Sequence, residues 1–267
     1  MLLKAKSDAT RPWHATSRRR IRLVAGLIVP LAVVWLAACG GGNGGDGGAA
    51  LDPSKADQLA HVALISESDL PGSGWSVTAT DEFADSELDF GNEDSAACKS
   101  LNAKMSGVTP DVDAGRAGRA QTELAKEGVI TPTIVDVSVT IFRDTQVPEK
   151  ALSAYKDALS SNDFAKCLSD TIQDSFGTGP TGGSSPKLTV TEFKPSASAP
   201  QGGSAKAFDM EVSAPGLTAK FRMEFYLWRF SNAGTTIFVF GSNEEVTRDL
   251  VKAAVDKTQQ NLQSAVK

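Results

Sequence analysis

Histidine is almost missing from this 267-residue chain: it has two, His14 and His61, alongside three cysteines, Cys39, Cys98 and Cys167. A zinc site needs three or four His, Cys or carboxylate ligands at close spacings, and no such grouping occurs. His61 sits in no G-x-S-x-G or comparable nucleophile setting, so it reads as a partly exposed structural residue. No Ser/His/Asp or Cys/His set can be named, and the expectation is a non-enzyme without catalytic residues, metal or cofactor. A pair of carboxylates assembled in three dimensions is the one route left open to an envelope hydrolase. Long apolar runs are missing too. The longest, from Leu23 to Ala38, covers 16 residues, short of the roughly 20 that cross a bilayer as a helix. Basic charge is scarce outside the first 38 residues, which hold seven of the 27 Lys/Arg and one of the 32 Asp/Glu. The rest carries 20 basic and 31 acidic residues, a net of about −11. That field repels phosphate backbones and anionic headgroups, which argues against nucleic acid as a partner.

What the N-terminus does contain is a leader. Arg18, Arg19, Arg20 and Arg22 precede the apolar run, and the run stops at Leu36-Ala37-Ala38-Cys39-Gly40. A basic cluster, a short apolar stretch and small residues at the break are the parts of a secretory signal. Leu36–Cys39 resembles the lipobox of bacterial prolipoproteins. The resemblance implies removal of 1–38, acylation of Cys39 and attachment to the outer side of the cell membrane. Residues 39–50, rich in glycine, then read as a flexible tether spanning about 18 Å, and 51–267 as a single α+β domain. In an oxidising compartment Cys98 and Cys167 are expected to pair, a bond worth about 4 kcal/mol on loop-closure grounds; two separate buried thiols are the alternative.

Along the domain, Pro53 opens a helix with Leu59, Val62, Ala63 and Ile65 on one face. Ser66–Gly74 is turn-rich, and Trp75–Thr80 is a short strand. The acidic run from Asp81 to Asp94 lacks the glycine and closing glutamate of a calcium loop in their places, so it reads as a solvated loop. A helix over Asp94–Met105 carries Cys98. Thr109–Gly128 gives a weak signal, with a strand at Ala120–Leu124. Ile134–Arg143 alternates Val135, Val137, Val139 and Ile141 with Asp136, Ser138 and Thr140, as a strand with one buried face does. Helices follow from Pro148 and through Phe164–Ile172. Gly177, Gly179 and Gly182 spell G-x-G-x-x-G, but no strand precedes and no helix follows, so no nucleotide site is inferred. Four strands, Leu188–Lys194, Ala205–Ala214, Leu217–Phe230 and Thr235–Ser242, then form a meander, with a tight turn at Asn232-Ala233-Gly234. A helix over Glu244–Ala265 closes the chain, buried along Val246, Leu250, Ala254, Thr258 and Leu262. Thr140-Ile141-Phe142 and Thr236-Ile237-Phe238 form a faint internal echo of two strand-helix halves.

Strands running in hairpins with helices between them predict an antiparallel sheet with helices packed on it, class α+β, with one disulfide. Tyr226, Trp228 and Phe230 fall on a strand face that is otherwise polar. Either a helix covers them, or sheet and helix leave an opening for an acyl chain or a partner's side chain. Trp75 is ambiguous in the same way. These four are the candidate ligand or partner surface. Asp69-Leu70-Pro71-Gly72-Ser73-Gly74-Trp75, the lipobox and the tether together resemble actinobacterial cell-envelope lipoproteins. The domain is similar in outline to the extracellular sensor of PknH-type kinases and to Mog1/PsbP-like domains. The resemblance implies a non-enzymatic binding or sensor module, facing an envelope protein or a hydrophobic ligand. Its alternative is a carrier of a lipid.

Overall fold

The strand β3 (Thr133–Phe142) is buried at every position, and the rest of the fold is arranged around it. The structure is a computed structural model and describes residues 52–80, 94–128, 131–176, 187–214 and 217–266. The leader, the tether with Cys39, the acidic run as far as Glu93 and the loop with Gly177, Gly179 and Gly182 lie outside the described residues. Strands β1 (Trp75–Thr80), β2 (Arg116–Lys126), β3, β4 (Lys187–Phe193), β5 (Ser204–Ala214), β6 (Leu217–Phe230) and β7 (Ala233–Ser242) form one antiparallel sheet. Their order is β1-β2-β3-β7-β6-β5-β4. The helices are α1 (Pro53–Val62), α2 (Ala96–Ser106), α3 (Thr109–Gly115), α4 (Gln146–Ser160), α5 (Asn162–Phe176) and α6 (Arg248–Ala265). The fold is α+β, as expected.

Two cores flank the sheet. On one face α2 to α5 bury Leu101, Tyr155, Phe164 and Leu168 against Phe208, Phe225 and Phe238. The rings of Phe225 and Phe238 lie 5.1 Å apart, and Phe164 meets Phe225 edge-on at 5.6 Å; each ring buried in this way contributes about 2 kcal/mol. On the other face α1 and α6 cover Val135, Val137, Val139, Ile141 and Ile237. Both faces of β3 are therefore covered, and its polar face is not solvated as the alternation implies. Cys98 and Cys167 are bonded, with Sγ atoms 2.05 Å apart, and join α2 to α5 across 69 residues. On either side Ser95 donates to Asp170 at 2.6 Å and Ser100 to Asp163 at 2.7 Å.

Other expectations need correction. In α1 the buried stripe is Ala56 and Ala60, continued by Ala63, while Val62 is 58% exposed. Small residues win that face because α1 lies directly on β2: a Cβ at Gly118 would stand 2.3 Å from Ala56 C. Asp57 fixes the contact by accepting from Arg119 N at 2.9 Å. The weakly patterned 109–128 region holds α3 and a long β2, which joins β3 across its whole length. Helix α6 starts at Arg248, not Glu244, because the Thr247 side chain caps it by accepting from Leu250 N, so Val246 is buried in the preceding turn. The β6–β7 turn is Ser231-Asn232, since Ala233 already pairs with Phe230. Ser231 has φ +54°. The halves suggested by the echo also differ: α4 packs on the disulfide face and α6 on the opposite one. A twofold relating the antiparallel β3 and β7 would put both helices on one face.

Candidate functional site

A cleft of about 500 Å³, open on one side, lies where the end of β6 meets α6. Arg229, Phe230 and Ser231 form its floor and one end. Val255, Asp256, Gln259 and Gln263 line the α6 side, at spacings that put them on one helical face. Ser198, Pro200 and Gln201 close the third side. They belong to the segment between β4 and β5, which crosses over β6 as a strap.

A buried carboxylate holds the strap in place. Glu224 is fully buried and accepts from Ser196 N at 2.8 Å, from Ser196 Oγ and from Tyr226 OH at 2.6 Å. Tyr226 OH in turn accepts from Ala197 N at 3.0 Å. Burial, and then the Glu224 carboxylate beside it, raise the Tyr226 phenol well above the usual tyrosine range, so it stays protonated and donating. Beyond the strap, Gly202 turns with φ +77°, and Gly203 N donates to Pro200 O at 2.8 Å. A Cβ on Gly203 would meet Leu227 O at 2.7 Å, so glycine is required for this approach. Of the two charged lining residues, Arg229 turns its side chain to the disulfide face and pairs with Glu149 of α4 at 3.4 Å, while Asp256 on the α6 side pairs with Lys252.

The four aromatic candidates do not form one surface. Tyr226 and Trp228 are buried beneath the strap and α6, as the covering alternative requires. Trp75 is a core anchor at the other end of the sheet, where its Nε1 donates to Pro71 O at 3.0 Å. Only Phe230 reaches the cleft. His61 is exposed on α1, with Nδ1 2.8 Å from Asp57 O, and no cluster of three metal-ligating side chains occurs among the described residues.

A second polar group escaped the sequence reading. On the disulfide face of the sheet Arg119 pairs in register with Thr140, Gln121 with Ser138, and Glu123 with Asp136. All but Glu123 are buried. Gln121 Nε2 donates to Asp136 Oδ2 at 2.7 Å. Burial raises the Asp136 carboxyl to about 7; the Gln121 hydrogen bond opposes this and the Glu123 charge adds to it. The signal was the polar set Asp136, Ser138 and Thr140, which period-two alternation assigns to solvent.

No known protein family matches the chain, and no curated protein does. One solved structure that resembles it is the extracellular domain of PknH from Mycobacterium tuberculosis. The two share 9% identity over 79% of this chain and 96% of that one, with a TM-score of 0.40.

Chemically, the cleft offers hydrogen-bonding amides and hydroxyls around one aromatic ring. The buried polar group offers a proton site at Asp136. The first is open to solvent and the second is enclosed.

Proposed function

We propose that the chain is a lipid-anchored, extracytoplasmic binding or sensor module, without catalytic activity, that takes its ligand in the cleft between β6 and α6. The cleft carries this reading: its volume falls in the range of small-molecule sites, and it is walled by two regular elements and a pinned strap. The anchor rests on Leu36–Cys39 and the leader before it. Among the described residues no helix is long and apolar enough to cross a membrane.

The carrier alternative calls for an enclosed apolar cavity. Seven of the ten residues lining the cleft are polar, and their amides would lose water to an acyl chain without new partners. Two experiments test the reading. Cys39→Ala should release the protein from membranes washed in high salt; retention would overturn the anchor. Native mass spectrometry of the protein extracted from membranes should show only the chain and its N-terminal lipid. Further mass that partitions into organic solvent would support the carrier instead.

A further inference from the structure

We infer that the cleft takes a neutral, polyhydroxylated ligand, a short oligosaccharide, seated on Phe230 and held by the glutamine amides around it. The inference rests on the cleft being the binding site, and it follows from how the lining spends its charge. Arg229 turns its guanidinium to the disulfide face, where Glu149 holds it at 3.4 Å, and Asp256 is paired with Lys252 on its own helix. A phosphate or carboxylate ligand would find no cation among the lining side chains on the α6 side, and an ammonium would have to take Asp256 from Lys252. What is left to recognise a ligand is uncharged. Gln201, Gln259 and Gln263 each present a donor and an acceptor in one plane. Sugar hydroxyls do the same, both donating and accepting, so neighbouring pairs match an amide without proton transfer or charge. The buried Gln259 Oε1 accepts no hydrogen bond among the described residues, which leaves one amide with a bond still to make.

Phe230 supplies the complementary feature. Its ring is half-buried at the cleft, with Val255 across from it. The C–H face of a pyranose is apolar and can lie on such a ring while its hydroxyls point outward to the amides. Ser231, in the left-handed region at φ +54°, lines the same end.

The test uses the full-length chain in mild detergent, titrated by calorimetry with maltotriose, cellotriose, mannotriose and chitotriose. Palmitate, inorganic phosphate and trialanine form the comparison set. At least one trisaccharide should bind saturably. Phe230→Ala should weaken that binding at least tenfold and Gln263→Ala about fivefold. Circular dichroism verifies that both variants are folded, and Gln263 is exposed, so its loss leaves the core intact. Binding of palmitate, phosphate or trialanine that the cleft variants abolish, with no trisaccharide bound, would overturn the ligand class and leave the cleft reading standing. Trisaccharide binding that neither variant alters would overturn the cleft reading itself. No saturable binding by any trisaccharide overturns the proposal.

Discussion

Asp136 is the residue whose chemistry departs furthest from its sequence context. It is 3% exposed, and its carboxyl holds its proton to about 7, where an unfolded chain would lose it near 4. Between those values the folded state binds more protons than the unfolded one, so stability falls as pH rises from 4 to 7 and levels off above. The full span is on the order of 4 kcal/mol at most. Asp136→Asn keeps an acceptor for Gln121 and removes the charge. Urea unfolding of the variant should give a higher midpoint at pH 8 and a flatter profile from pH 5 to 8; an unchanged slope would rule out Asp136 as its source. Ser231 departs in another way. Only the first of the two turn residues has positive φ, a position where glycine is favoured. Ser231→Gly should therefore raise stability by up to about 1 kcal/mol, read from the same urea midpoints.

At the scale of elements, close approach decides more than hydrophobicity does. Helix α1 rests on β2 through Ala56 and Ala60 because Gly118 has no side chain. Gly118→Ala would put a methyl against backbone atoms that cannot rotate away, and should cost about 2 kcal/mol or more in chemical denaturation. A loss below a few tenths of a kcal/mol would mean that α1 shifts freely. The α2–α5 pair has a different support. Replacing both Cys98 and Cys167 by Ala should cost about 4 kcal/mol and leave the far-ultraviolet spectrum intact, since Ser95–Asp170 and Ser100–Asp163 still join the helices. These elements also mark what the sequence could reveal. β1 and β6 were legible to the residue, because turn residues and alternation mark their ends. The stripe of α1 was not, because alanines chosen for closeness carry little hydrophobic signal. The polar face of β3 misled for a related reason: alternation reports chemistry, and here polar side chains are buried in register with one another. Of the candidate site, Phe230 was legible from its strand. The strap was not, because Glu224 and Ser196 lie 28 residues apart and nothing local links them.

At the scale of the molecule, both cores are built on the same two strands. Val137 and Ile237 face α1 and α6, while Asp136 and Phe238 on the same strands face the disulfide layer. Stripping either helical layer would expose one side of β3 and β7, so neither core should survive the other. In the protein without residues 1–38, which hold Trp13 and Trp35, tryptophan fluorescence reports Trp75 and Trp228, both on the α1/α6 side, whereas circular dichroism reports the whole. Their urea midpoints should coincide. A fluorescence transition that precedes the loss of ellipticity would show that the two layers unfold separately. The pairing of β3 with β7 also joins distant parts of the chain. Val137 meets Ile237 across 100 residues, so the middle of the sheet stays open until nearly all of the chain has been synthesised. Cys98 and Cys167 are both made before β4 begins and can be joined while the sheet still lacks its second half. Closing the centre takes a long-range pairing, of the kind that makes folding slow.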